Sequence, residues 1–331
     1  MKRRDFLAGA PAVLVTAHGW PVNDALAAEG GVYVAVGYGG RRMSSRDGVT
    51  WENVVEWAGS GGDDSNNLMS VAFGAGKFVA VGGGGWNRET QAGHILVSPD
   101  GAAWTEVLKA PNRITPVLFG DGRFVAGGAD RVLLWSDDGE TWNRGGRIDY
   151  GGPDWAFWFR SGAAGNGRFV FTGNCGAGQI KACWSAVSPD GRSIQHVTTA
   201  MPFIRAVAFG AGRFVVTGGD GLRMSSLDGK TWEHQVNEPG EDLRTVFWTG
   251  REFFTSGGNF VFTSPDGIAW ERRAQKTPVT PLWGDRRILV GTGWPGKMAS
   301  STDLGQTWVM GPPLPPNGIN QVAYGAPPPG R

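Results

Sequence analysis

An all-β ring of seven four-stranded blades, a β-propeller, is the fold class this chain predicts. Composition is the first reason. Of 331 residues, 55 are Gly and 16 are Trp, and only 18% are charged. Gly costs about 1 kcal/mol at each helix position, which excludes a helical bundle. The 40% of apolar residues is enough to bury a large core, which argues against disorder. The second reason is a phrase, Ser-x-Asp-Gly-x-x-Trp, that recurs along the chain. The third is a hairpin phrase that precedes it, as in Val71 to Gly82 (VAFGAGKFVAVG) and Val207 to Gly218 (VAFGAGRFVVTG).

The N-terminus reads as an address rather than a structural element. Lys2-Arg3-Arg4-Asp5-Phe6-Leu7 leads into an apolar stretch ending at Thr16, and Ala25-Leu26-Ala27 offers a small-residue cleavage site. The arginine pair resembles a twin-arginine (Tat) signal, with an ordinary secretory signal as the alternative. The expected organisation is therefore a signal over residues 1–27 and one propeller domain over 28–331, exported to the periplasm or the medium. Removing the signal leaves 28 basic and 28 acidic residues, a zero balance with no global field to attract nucleic acid or a membrane surface. No mature segment is long and apolar enough for membrane insertion.

The phrase copies place aspartates at Asp47, Asp100, Asp138, Asp190, Asp228, Asp266 and Asp303, separated by 53, 38, 52, 38, 38 and 37 residues. A base period near 38 residues with two insertions suits one blade per repeat. The copy at Ser188 has Ile194 where the others have Trp, and the copy at Ser301 carries one extra residue. In each unit two Val- and Phe-rich strands meet at a Gly turn. A third strand then ends at the Ser, and a fourth begins at the Trp. The Asp carboxylate is expected to accept N–H groups of its own turn, the Gly to supply positive φ, and the Trp to fill the wedge between blades. Gly31 to Gly37 matches a second strand with no first strand before it, whereas Ile319 to Gly325 matches a first strand with nothing after it. This C-terminal segment, about 319–325, is expected to complete the first blade and close the ring, removing two open edges.

The Asp phrase resembles the Asp-box, or BNR repeat, of sialidase-like propellers, over most of residues 30–325. That resemblance implies structural aspartates on the face away from a functional site. Long loops at Glu56 to Asn67, Gly83 to His94 and Gly145 to Trp158 should gather on the other face. Two residues before each hairpin phrase stand Met69, Thr115, Arg160, Arg205, Arg244, Val279 and Asn320. Arg160, Arg205 and Arg244 thus come from consecutive blades, where the innermost strand enters the central channel. Converging guanidiniums call for an anion or for intervening carboxylates such as Asp154, Glu241 or Asp242. Tyr150 and Trp155 lie near them in sequence and complete the expected ligand-binding set. Phe157 and Phe159 are expected in the core.

Sialidases combine an arginine triad with a Tyr–Glu pair and an Asp acid/base, and the three arginines look like that triad. However, sialidases are six-bladed and begin with an Arg-Ile-Pro phrase, which this chain lacks, so no catalytic residue is carried over. The expected partner is an anionic small molecule, a glycan or an acidic protein segment. A binding module similar to exported Asp-box propellers that assist photosystem II assembly is one reading, a carbohydrate-active enzyme is the second, and a structural scaffold with an empty channel is the third. No cofactor or metal motif stands out: His196 and His234 read as solvated edge residues, and Gly74-Ala75-Gly76-Lys77 as a hairpin turn rather than a phosphate loop. Cys175 and Cys183 are the only cysteines, and in an exported protein they are placed for a possible disulfide.

Overall fold

The computed structural model describes residues 30–57, 66–84, 92–128, 130–149, 157–175, 182–273 and 276–326, without the side chains of Phe157, Cys175 and Ala182. The segment 1–27, Tyr150 and Trp155 lie outside the described residues. Among those described, 28 strands form seven antiparallel sheets of four, with one short 3-10 turn at Tyr38–Gly40. The second blade shows the plan: Leu68–Gly74 innermost, then Lys77–Gly83, Gly93–Ser98 and the outer Thr105–Ala110. Its third strand, and its second from Phe78 onward, are buried along their whole length, because neighbouring blades cover both faces. Outer strands meet water, as Glu233–Val236 does at every residue.

The ring closes as the sequence predicts. Ile319–Gly325 pairs antiparallel with Val32–Gly37, from Gly37 opposite Ile319 to Val32 opposite Gly325. A fully buried arginine secures the junction. Arg41 pairs with Glu56 and donates to the carbonyls of Asn317 (2.6 Å) and Pro315 (2.7 Å).

Hairpin turns between the first two strands use the positive φ that the twist of a two-residue loop demands. Ala75 and Gly76 stand at φ 47° and 75°, and Ala211 and Gly212 at 47° and 72°. The glycine closing each innermost strand has a different task. A Cβ on Gly74 would lie 2.1 Å from the Phe119 ring, and one on Gly165 2.2 Å from Phe209. The aromatic of one blade therefore lies flat over the glycine of the blade before it, and that contact sets how closely adjacent innermost strands approach.

The six Ser-x-Asp-Gly turns are nearly identical, and the seventh keeps the same bonds with its donors shifted by the inserted Leu304. In the third blade Ser136 donates to Asp138 (2.9 Å), Gly139 N–H donates to Ser136 Oγ (2.8 Å), and the N–H groups of Glu140 and Thr141 donate to Asp138 (2.8 and 2.7 Å). Outer strands start one residue after the aromatic, at Glu52, Thr105, Asn143, Glu233, Glu271 and Val309. The Trp packs backward into the seam with the preceding blade: Trp104 against Val34 and Phe78's cluster, Trp142 against that of Val79 and Phe124, and Trp232 against that of Val170 and Phe214. Ile194 takes this place at the seam of the third and fourth blades, where the fully buried Trp184 supplies the missing volume.

Each seam holds one apolar cluster, and seven such clusters take the place of a single core. Burying one of their Val or Phe side chains contributes about 1.5–3 kcal/mol.

One sequence expectation needs adjustment. The third long loop starts later than expected, because Asn143–Arg147 is the outer strand of its blade. Cys175 and Cys183 lie on adjacent paired strands one register step apart, Cys183 opposite Asn174 and Cys175 opposite Ala182, and the Cys175 side chain is outside the described residues. Cys183 itself is buried at the seam of the fourth and fifth blades.

Candidate functional site

On the face away from the Asp turns, most innermost strands open with an irregularity. Register slips between Leu68 and Ser70, between Phe159 and Ser161, and between Ile204 and Ala206. The residues left without a ladder partner are Met69, Arg160 and Arg205, three of the aligned positions. Asn320 is skipped in the same way between Gly37's partner Ile319 and Val36's partner Gln321. A bulge turns its extra side chain out of the alternation, so Arg160 and Arg205 are re-aimed from the seam toward the strand entrance. The residue after the bulge joins neighbouring blades: the N–H of Val117 donates to Ser70 Oγ and that of Val207 to Ser161 Oγ, both at 3.1 Å. Arg244 reaches the same face differently. The innermost strand of its blade is only Phe247–Trp248, and Arg244 precedes it in irregular chain.

The structure joins two of the three arginines through a carboxylate and holds the third on an amide. Arg205 and Arg244 share one carboxylate. Asp242 accepts Arg205 Nε (3.0 Å) and Nη2 (2.9 Å) in a fork, and Arg244 Nε at 3.0 Å. Burial pushes the Asp242 carboxyl up, but hydrogen bonds from Arg205 and then Arg244 hold it below the ordinary carboxylate value. This is the intervening-acid arrangement, with Asp242 as the acid. Arg160 is paired otherwise, through Nε to the amide oxygen of the buried Asn174 at 2.6 Å. Protein crowds its guanidinium, and that desolvation, followed by the fields of Arg205 and Arg113, lowers its pKa. Arg160 therefore lies within electrostatic reach of two other cations, and no carboxylate pairs with it among the described residues.

Sequence alignment missed Arg113, Asn174 and the sharing of Asp242. Arg113 lies before the third innermost strand rather than in the aligned position, and donates to the carbonyl of Gly83 at 3.0 Å. With Thr115, Trp158 and Phe159 it lines a water-sized recess of about 10 Å³. Phe159 is core as expected, edge-on to Phe171 and Trp184.

The other titratable groups fall elsewhere. Tyr33 and Tyr324 touch at 4.7 Å near the Asp-turn face, and burial and then Asp285 push the Tyr33 hydroxyl up. They cannot serve a site built around Arg160. His196 and His234 are exposed and bond Thr198 and Ser225 at 3.1 Å each. His94, by contrast, is buried against Glu106 at 2.5 Å, with the Trp57 ring over it. The described residues contain no group of three or more His, Cys, Asp or Glu able to hold a metal, and no helix long and apolar enough to cross a membrane.

Fold and topology together define a class: an all-β propeller of seven four-stranded antiparallel blades. Among solved structures the chain is similar to a YCF48 bound to a D1 peptide, at 15% identity and TM-score 0.53, covering 87% of this chain and 86% of that one. It is also similar to YCF48 from Cyanidioschyzon merolae (15% identity, TM-score 0.52, 78% and 88% covered) and to BamB from Moraxella catarrhalis (14%, 0.53, 80% and 80%). At such identities the likeness is one of fold. No protein-family model matches the sequence, and neither does any curated protein.

Proposed function

We propose that this chain is an exported protein-binding propeller of the Asp-box type, whose strand-entry face takes an acidic segment of a partner protein. Arg160, Arg205 and Arg244 are its contact residues. The observation that carries this reading is the charge arrangement: of three guanidiniums from consecutive blades, two share one carboxylate, Asp242, while Arg160 is held only by the Asn174 amide and is left to repel its neighbours. A partner carboxylate placed between Arg160 and Arg205 would relieve that repulsion, and guanidinium forks suit carboxylates. The YCF48 propeller bound to a D1 peptide supports the peptide reading, because the same fold there presents a surface to a peptide. The seven Asp turns and the Arg3-Arg4 leader support the Asp-box assignment and twin-arginine export respectively. The glycan-cleaving alternative has no support from the described tyrosines, which lie at the far face or, like Tyr38, meet Trp294 edge-on.

The test is binding of a fluorescent Asp/Glu-rich hexapeptide by anisotropy. The Arg160→Ala, Arg205→Ala double variant should bind at least tenfold more weakly, with an unchanged melting temperature. Wild-type affinity should fall steeply with salt, as exposed charge contacts are screened. Equal affinity of the wild type and the double variant would overturn the proposal.

A further inference from the structure

The seam between the sixth and seventh blades has the smallest apolar cluster in the described ring, with Phe254, Val261 and Leu289 as its buried members. Above it, at the strand-entry face, the blades part to leave a cleft of about 370 Å³. That space equals about a dozen water molecules of liquid and lies within the range of small-molecule sites. Gly240, Gly257, Gly258 and Gly293 form much of its wall, and none of its lining side chains is aromatic.

The charges of the cleft specify what fits. Its lining carries two cations, Arg244 and Lys276, and one carboxylate, Asp242. Asp242 is already held by Arg205 and Arg244. Arg244 spends only Nε on it, so its terminal nitrogens make no hydrogen bond among the described residues. Lys276 has no ion-pair partner among those residues. Beneath the Gly257 wall lies a second carboxylate. Glu241 is 3% exposed and is satisfied by the N–H (3.2 Å) and the side-chain amide (2.7 Å) of Asn259. With Arg205 counted, three cations stand against two acids, a balance of one positive charge that favours a ligand with a single negative charge over a dianion. Ser256, Thr277 and Thr280 add hydroxyls to the lining.

We propose that this cleft is a second binding site, on the same strand-entry face and adjoining the proposed peptide contacts at Arg244, for a small hydroxylated monocarboxylic acid. The carboxylate meets Lys276 and the free end of Arg244, and the ligand hydroxyls meet Ser256, Thr277 and Thr280. The glycine walls admit a compact, non-aromatic chain. Because Arg244 and Asp242 border both sites, filling one changes the electrostatics of the other.

Calorimetric titration of the whole chain with gluconate, acetate, glucose and inorganic phosphate tests this. Gluconate should bind saturably and at least tenfold more tightly than acetate or glucose. Lys276→Ala should weaken gluconate at least tenfold. Gly258→Leu provides a steric block: Gly258 lines the cleft and a Cβ there meets no atom within 4 Å, so the substitution starts from open space. It should abolish gluconate binding at an unchanged melting temperature. Both variants should bind the acidic hexapeptide like the wild type, whereas Arg160→Ala should weaken the peptide and spare gluconate, so the two readings fail separately. Absence of saturable gluconate binding, equal affinity for acetate, tighter binding of phosphate, or gluconate binding undiminished in Gly258→Leu would each overturn the proposal.

Discussion

Two seams of the ring are built on the same plan and filled very differently. Between the fourth and fifth blades, 11 buried residues interlock, from Ala163 and Val170 to Phe214 and Met224. Between the sixth and seventh, three suffice, and the space above them is open. The contrast follows from strand length. Phe157–Gly165 and Ile204–Gly210 are long innermost strands, whereas Phe247–Trp248 contributes two residues and Thr280–Gly284 five. Shorter strands bury less and leave the upper part of the wedge to loops. The full seam thus provides rigid bulges on which Arg160 and Arg205 are fixed, and the thin seam provides room. Stability and space are distributed around one ring rather than mixed at each blade.

The largest expected effect comes from undoing the seventh contact altogether. Deleting residues 315–331 removes the innermost strand of the first blade, with Ile319 and Val322 nearly buried, and the carbonyls that Arg41 grips. The truncated chain should lose cooperative unfolding by calorimetry; a chain that melts like the intact one would show that the ring does not depend on closure. Next come substitutions that compare the seams. Phe214→Ala in the full seam should cost about 3–5 kcal/mol, and Leu289→Ala in the thin one should fall near the lower end of the usual ~2–5 kcal/mol, because the cleft lets neighbours relax. Urea titration gives both values, and a larger loss at Leu289 would break the comparison.

A subtler variant tests how blades are spaced. Gly165→Ala drives a methyl into the Phe209 ring at the full seam, an overpacking cost of about 1–3 kcal/mol. The smallest effect per residue belongs to the turns. All seven turn aspartates are held below the ordinary carboxyl value. In most of them burial works against this and is outweighed by N–H donors of the turn. Asp303 is lowered to about 2 by the Thr307 hydroxyl first and the Thr307 N–H second. A depressed folded-state pKa means stabilisation that is complete above the unfolded value of 3.8 and is lost as pH falls toward about 2. The melting temperature should therefore drop steadily across that window. Asp138→Ala, at a cost of about 1 kcal/mol, should flatten the drop slightly.

Much of the architecture was legible because it is written in repeats. Ser-x-Asp-Gly-x-x-Trp places a self-satisfied turn and a seam-filling ring in seven residues, and the unmatched phrases at Gly31 and Ile319 announce the closure. The arginine alignment was legible for the same reason, since Arg160 and Arg205 occupy the same bulge in successive blades. What the sequence hid depends on contacts between units about 40 residues apart. Asp242 stands beside Arg244 in the chain, yet its forked partner, Arg205, belongs to the preceding blade. The choice of Asp242 over Asp154 or Glu241 required the fold, because Glu241 turns inward to Asn259 instead. The role of Gly74 and Gly165 was equally invisible, since each looks like a turn residue and is in fact the seat of a neighbour's ring. The cleft has no motif at all. It arises because two strands are short.

The pairing of Ile319–Gly325 with Val32–Gly37 also sets an order of events during synthesis. The first strands to leave the ribosome belong to the blade that is completed last. At about 5–20 residues per second, the inner edge of that blade stays bare for tens of seconds while the other six are made. Throughout that interval it is a template for any passing strand, including the same segment of another copy. A nascent chain of this protein is therefore at its most vulnerable just before its final residues emerge, and crowding of several ribosomes on one message would favour exchange of the last strand between neighbours.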